Sequence, residues 1–188
     1  MAKCELDHNL PRSKYPLFAS SVWNLIPICS NCNLNKLENE IHFNSWNIDL
    51  QSEIIKILVK INDPQAIEEY LGINNSNKKC DFDITFICSS SDFYEDVKLL
   101  QLEELYNARS DISELLNKLL INFRICRDDS IKEILKSSGI DNGQDLFKYY
   151  FDLSLSDYKE KHYSVKQYAK LVSEFITNYG PDISYFEN

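Results

Sequence analysis

The chain has 188 residues, of which 44% are hydrophobic and 26% charged, and its formal net charge is −9. This composition is typical of a soluble globular protein, and no run approaches the ~20 apolar residues that a membrane-spanning helix needs. The six cysteines are too few and too irregularly spaced for a disulfide scaffold, so we expect a cytoplasmic protein with no membrane association. The negative charge also argues against a nucleic-acid partner, because neutralising phosphates requires Lys and Arg.

The charge is unevenly distributed along the chain. Residues 1–37 carry a net charge of +2, and the remainder carries −11. We therefore predict two regions: a small head, residues 1–45, and a long acidic body, residues 46–188. The net charge of the whole chain describes neither region.

The head is predicted to form a ββα unit. Residues 3–7 are expected to form a strand, and an irregular loop that contains prolines follows. Residues 24–28 form a second strand, and a helix runs from Ser30 to about Glu40. In this arrangement Asp7 and His8 end the first strand and Asn33 lies in the first turn of the helix, so their side chains can converge.

The body is predicted to be helical, with one strand. Glycines that follow helical patterns, at positions 72, 139 and 180, indicate helix ends, and Asp63, Ser130 and Ser164 indicate helix starts. An apolar stripe from Leu102 to Leu120 predicts one helix of roughly 20 to 25 residues. Cys80–Cys88 alternates and is rich in β-branched and aromatic residues, which favours a strand. The expected fold class is α+β, mainly α.

The residue types in the head suggest a metal-assisted reaction at a phosphate. Carboxylate and amide oxygens, here those of Asp7 and Asn33, are ligands suited to Mg²⁺ or Mn²⁺. His8 beside them can act as a general base on a water. Three cationic residues are candidates for holding flanking phosphates, namely Arg12, Lys14 and Lys36.

At these residues the sequence resembles the HNH endonuclease superfamily, the ββα-metal nucleases. The matching residues are Asp7-His8-x-x-Pro11-x-Ser13-x-Tyr15-Pro16 and then Asn24-Leu25-x-Pro27-x-Cys29-x-x-Cys32-Asn33-x-x-Lys36. The resemblance implies that Asp7 and Asn33 bind the metal and that His8 is the general base. It also implies that Asn24 orients the loop that bears the histidine, and that DNA is cut to leave 5′-phosphate and 3′-hydroxyl ends.

The resemblance is strongest to bacterial HNH proteins with helical tails, some of which pair with an ATPase in anti-phage defence, as in Septu-type systems. It therefore implies DNA and an ATPase as partners. A weaker resemblance in the segment LQLEELYNARSDISELL extends to the tails of such proteins. The acidic body is then expected to dock a partner protein.

One departure from the family concerns zinc. Many relatives hold a structural zinc with two CxxC pairs, and here only Cys29 and Cys32 form such a pair. Six residues precede Asp7 and contain one cysteine, Cys4, so the upstream pair is missing. We expect the chain to begin at an internal methionine or to come from a truncated gene, to bind zinc weakly or not at all, and to keep Cys29 and Cys32 as a vestigial zinc turn.

Two hypotheses other than a nuclease are considered. The missing pair and the acidic surplus favour a degenerate, catalytically inactive HNH remnant that serves as a protein-interaction module. A zinc-dependent nucleic-acid binder without cleavage is disfavoured, because the chain offers too few Cys and His ligands.

Overall fold

A computed structural model describes residues 4–42, 54–63, 79–126, 128–140, 142–151, 153–159, 168–181 and 186. The chain divides into two compact units: Met1–Lys56 with Phe86–Tyr106, and Ile57–Thr85 with Asn107–Asn188. The predicted boundary between residues 45 and 46 lies outside the described residues. Within the described part, the structure is mixed α and β and mainly helical, as predicted. None of its helices combines the length and the apolar character needed to cross a membrane.

The first unit begins with the ββα unit, residues 4–37. Strands β1 (Cys4–His8) and β2 (Leu25–Cys29) pair antiparallel, with Cys4 opposite Cys29 and Asp7 opposite Ile26. Helix α1 (Ser30–Lys36) follows directly. Both strands lie within one residue of the predicted ranges. The helix is shorter than predicted, because Leu37 adopts a left-handed φ of 50°, which ends the helix before Glu40.

Strands β3 (Ile55–Ile61) and β4 (Phe82–Cys88) form a second two-stranded sheet. The backbone hydrogen bonds Asn62 N to Asp81 O and Ser89 N to Ile54 O show that the pairing is antiparallel. The predicted strand within Cys80–Cys88 is confirmed as β4. Strand β3 was not predicted, although Ile57, Val59 and Ile61 alternate strictly with exposed residues along it.

Two helices complete the described part of the first unit. Helix α2 (Ser91–Leu99) begins after Ser90, whose hydroxyl accepts a hydrogen bond from Phe93 N. Helix α3 (Leu102–Asn107) follows after Gln101, at a φ of 52°. Helix α4 (Ser110–Ile125) then starts at Ser110. The long helix predicted from the apolar stripe is therefore wrong, since extended backbone at Arg109 separates α3 from α4.

The second unit is built around helices α4, α5 (Asp129–Ser137), α6 (Gly143–Phe151), α7 (Leu155–Lys159) and α8 (Ala169–Tyr179). Its core is rich in phenylalanine: the Phe123 and Phe175 rings stack with centroids 5.6 Å apart, and Phe147 packs edge-on against Phe186. Aromatic pairs of this kind add to the free energy gained by burial. The apolar residues predicted to form a core stripe do so from α4, where Leu116, Leu119 and Leu120 are buried.

The predicted helix ends are partly correct. Gly139 has a φ of 85° and closes α5, as expected for a glycine after the last turn. Gly180 is extended, and a Cβ there would lie 2.5 Å from Ile176 O, so the glycine permits close approach. The cap of α5 is Asp128 rather than the predicted Ser130, because the Asp128 side chain accepts from Ser130 N. Predictions at Gly72 and Ser164 lie outside the described residues.

A histidine and a buried carboxylate are joined within the first unit. Asp96 on α2 is buried, and it accepts from His42 N at 2.6 Å and lies 3.0 Å from His42 Nδ1. This hydrogen bond to Asp96 is the main reason that the pKa of His42 lies above its ordinary value of 6.5. The pair therefore attaches the segment after α1 to α2 most firmly when His42 is protonated.

Replacing His42 with Gln should destabilise the protein in a pH-dependent way. Because the folded-state pKa of His42 is raised, its pairing stabilises the fold fully below about pH 6.5, and the stabilisation is lost as pH rises through the folded-state pKa. The difference in melting temperature between the wild type and His42→Gln should thus be larger at about pH 5.5 than at about pH 8.5. A difference that is constant across this range would contradict the assignment.

Candidate active site at the end of strand β1

Helix α1 contacts β1 through a polar face. Ser30, Asn33 and Lys36 recur every three residues and therefore share one side of the helix. Ser30 Oγ and Asn33 Nδ2 donate to Glu5 at 3.0 and 2.8 Å. Lys36 Nζ lies 2.8 Å from Asp7 Oδ2. Glu5 and Asp7 share one face of β1 because strand residues alternate, so the two faces match position by position.

The leucine within this helix and the leucine directly after it both point outward. Leu34 is 71% exposed and Leu37 is 68% exposed. The apolar contribution on the inner side comes from Ile26 and Ile28 of β2, which are buried. The ββα unit is thus joined by a small apolar core and a set of charged and amide hydrogen bonds.

Lys36 is the centre of this set. It is 1% exposed, and its ammonium also donates to His8 O at 2.7 Å. Asp7 Oδ2 is itself buried and accepts no hydrogen bond from the described residues, so its contact with Lys36 is a charge contact at short range. The expectation that Lys36 holds a phosphate does not fit this burial. Its cation instead fixes Asp7 and the end of β1.

Asn33 keeps one atom for a ligand. Its Nδ2 donates to Glu5, so the amide orientation is fixed and Oδ1 remains as the acceptor. Glu5 was not predicted as a site residue. Strand alternation could have found it, since Glu5 lies two residues before Asp7 on the same face of β1.

His8, the last residue of β1, turns toward the connecting loop, residues 9–24, which we call the His8 loop. Its Nε2 lies 2.9 Å from Ala19 O. A carbonyl oxygen only accepts hydrogen bonds, so Nε2 must carry the proton when this contact forms, and in the neutral ring Nδ1 has the lone pair. The contact therefore selects the tautomer in which Nδ1 is the basic atom.

Asn24 fixes the His8 loop. It is buried, its Oδ1 accepts from Leu10 N at 2.7 Å, and its Nδ2 donates to Leu10 O and Phe18 O at 3.0 and 3.2 Å. Three backbone groups on opposite sides of the loop are thus tied to one amide. Since Phe18 precedes Ala19, the same contacts hold the carbonyl that orients His8.

The other predicted cations lie on the surface. Arg12 is exposed. Lys14 is exposed and lies 3.9 Å from Glu40 Oε1, a distance at which an exposed pair contributes little to stability. Both side chains are placed where an external phosphate could reach them.

The two half-buried thiols of the CxxC sequence form a turn. Cys29 Sγ accepts from Cys32 N at 3.3 Å and caps α1. Burial, with a smaller effect of the hydrogen bond to Cys29, raises the pKa of the Cys32 thiol to about 12, so this thiol is protonated at neutral pH in the metal-free chain. Over the described part of the chain, no group of three or more His, Cys, Asp and Glu residues is placed to hold a metal ion.

The remaining donors suit a hard cation. Asp7 and Asn33 each carry a side-chain oxygen of the kind that Mg²⁺ or Mn²⁺ prefers, and water or phosphate oxygens would have to complete the shell. The neighbouring Lys36 ammonium repels a second cation, so we expect this pair to bind metal weakly without a phosphate present.

Comparisons with known proteins give no match: no family model, no curated protein and no solved structure matches the chain. The function is therefore argued from the residues and their geometry.

Replacing Lys36 with Met should lower the free energy of unfolding by about 3 kcal/mol, because the Asp7 carboxylate loses its partner in a largely buried position. The matched exposed variant Lys98→Met removes a surface ion pair with Glu95. It should change the free energy of unfolding by about 0.5 kcal/mol or less. Urea unfolding followed by tryptophan fluorescence measures both.

The double variant Asp7→Asn/Lys36→Met separates charge from packing. Its free energy of unfolding should fall by less than the sum of the losses in the two single variants, because neither partner is then left as an unpaired charge. Simple additivity of the two single effects would contradict the buried ion pair.

Proposed function

We propose that the chain is a metal-dependent endonuclease of the HNH type that hydrolyses DNA phosphodiester bonds. The observation that carries the proposal is the hydrogen bond between His8 Nε2 and Ala19 O, since it leaves Nδ1 as the basic atom of the residue that follows Asp7 in the chain. The ββα arrangement of residues 4–37 and the resemblance of Asp7, His8, Asn24 and Asn33 to the HNH pattern support it.

In the proposed reaction, His8 Nδ1 takes a proton from a water whose oxygen attacks the phosphorus. The new P–O bond forms as the bond to the 3′ oxygen breaks, and the departing 3′ oxygen takes a proton from a solvent water, which leaves a 5′-phosphate and a 3′-hydroxyl. Asp7 and Asn33 would hold Mg²⁺ or Mn²⁺, which supplies charge stabilisation at the phosphate when bound. Asn24 keeps the His8 loop in place, and Lys36 keeps Asp7 oriented.

The acidic body and an ATPase partner belong to the same proposal. Residues 38–188 carry a net charge of −11, and such an acidic surface is unsuited to phosphate contact. We propose that this surface docks a partner protein, and the resemblance to HNH proteins of ATPase–nuclease systems supports an ATPase and a role in anti-phage defence.

One observation favours the alternative, a catalytically inactive HNH remnant that binds a protein. Asp7 Oδ2 is already engaged by the Lys36 ammonium, so one of its oxygens is committed without a metal. On this alternative, Mg²⁺ or Mn²⁺ leaves the melting temperature unchanged while a partner protein raises it.

Cleavage of supercoiled plasmid in Mg²⁺ or Mn²⁺ tests the nuclease. The wild type should cut, and EDTA should abolish cutting. The rate of cutting by His8→Ala should be lower by a factor of roughly 100 or more, because a general base contributes about 10²–10⁴ in rate. His42→Ala, which removes a histidine of the same unit outside the ββα unit, should cut like the wild type.

Equal cutting by the wild type and His8→Ala would defeat the role of His8. Failure to cut in either metal, together with an unchanged melting temperature on adding metal, would favour the inactive remnant.

A further inference from the structure

The His8 loop carries an unusual share of the exposed apolar side chains. Leu17 is 90% exposed and Trp23 is 76% exposed, and Phe18 and Val22 are also exposed. Single exposed hydrophobic residues are common on protein surfaces, whereas several in one short segment indicate an interaction surface.

These side chains are held outward by a well-defined backbone. Three turns follow one another, with hydrogen bonds from Phe18 N to Tyr15 O, Ser21 N to Phe18 O, and Asn24 N to Ser21 O. Asn24 joins the last of these turns to the start of the loop through Leu10. The exposed side chains therefore belong to an ordered loop. Such a loop loses little conformational entropy when a ligand binds.

The loop itself carries cations and no carboxylate. The chain contains 29 Asp and Glu residues, yet none lies between His8 and Leu37, whereas Arg12 and Lys14 are exposed on the loop. One carboxylate from outside this segment, that of Glu40, lies 3.9 Å from Lys14 Nζ and accepts from Tyr15 OH, so Lys14 is the loop cation whose charge is partly offset. Aromatic and apolar side chains among cations are the combination that binds single-stranded nucleic acid, because bases stack on the rings while the cations meet the phosphates.

We propose that the His8 loop is a base-contacting surface, on which Trp23 and its apolar neighbours pack against unpaired bases of single-stranded or locally melted DNA. This inference rests on the proposed nuclease function and specifies its substrate class. Ala19 O, which holds His8, lies between Phe18 and Trp23 in the chain. A base on the loop thus places a neighbouring phosphate near the His8 ring.

Contacts with bases would also add binding free energy where the attraction between the head and phosphates is weak. With two exposed cations on the loop, counterion release supplies little binding free energy. Stacking contributes to affinity independently of phosphate charge, and it favours strands whose bases are accessible.

Fluorescence anisotropy with a labelled DNA strand of about 20 nucleotides tests the proposal, using the full chain in EDTA so that no cleavage occurs. The wild type should bind the single strand more tightly than the same sequence as a duplex. Trp23→Ala should weaken single-strand binding roughly tenfold, and Trp23→Phe should restore most of the affinity. Tyr149→Ala, which removes an aromatic residue that is 58% exposed in the second unit, should bind like the wild type.

Three results would overturn the proposal. The first is equal single-strand binding by the wild type and Trp23→Ala, with both folded by circular dichroism. The second is an equal loss of duplex binding in Trp23→Ala. The third is Trp23-dependent binding of polyglutamate that is as tight as that of DNA, which would assign the loop to an acidic protein.

The outcome is separable from that of the nuclease proposal. Plasmid cleavage that depends on His8, with no Trp23 effect on binding, would overturn only the role of the loop. Binding that depends on Trp23, without cleavage in either metal, would overturn only the enzyme.

Discussion

The buried ammonium of Lys36 is the interaction on which the ββα unit depends. It joins the last turn of α1 to the side chain of Asp7 and to the carbonyl of His8, the two adjacent residues that end β1. Burying a charge is unfavourable unless it is paired and hydrogen-bonded. The pairing therefore fixes the register of α1 on β1, because a shift of one residue would leave both the cation and the carboxylate without partners.

This constraint explains why polar side chains face inward and leucines face outward at helix α1. The inner face of α1 is polar, and its leucines point to solvent, so the unit has few apolar contacts of its own. Its order instead comes from matched polar groups: Glu5 with Ser30 and Asn33, Asp7 with Lys36, and Asn24 with the His8 loop. The same polar groups position the side chains proposed to act on phosphate, so stability and the proposed chemistry share residues.

Local patterns predict much of the fold. The strands of the head, the start of α1, β4 and the glycine at the end of α5 follow from alternation, turn residues and helix ends. The break between α3 and α4 is invisible in the apolar stripe, because arginine is compatible with a helix and the residue type at position 109 gives no sign of the extended conformation. Strand β3 was missed although its alternation is regular, and α1 was predicted too long because the left-handed Leu37 has no signal in its residue type.

The candidate site is predictable in its residues more than in its contacts. The spacing of Asp7, His8, Asn24 and Asn33 is a property of the sequence, whereas the partners Glu5, Lys36 and Ala19 O are revealed only by folding. Lys36 shows most clearly what the sequence cannot predict. A lysine near an expected phosphate site suggests an exposed cation, whereas Lys36 is buried and pairs with Asp7. The net charge of −9 likewise conceals a segment from His8 to Leu37 without carboxylates.

Binding of Mn²⁺ to the full chain, followed by electron paramagnetic resonance, tests the central claim most directly, because it would detect the proposed metal centre without requiring turnover. We predict one weakly bound ion per wild-type chain, because the Lys36 ammonium opposes the metal, and a further loss of affinity of roughly tenfold or more in Asp7→Asn, which removes the anionic ligand. The exposed variant Glu95→Gln should bind as the wild type does. Equal Mn²⁺ binding by the wild type and Asp7→Asn would contradict a metal centre at the end of β1.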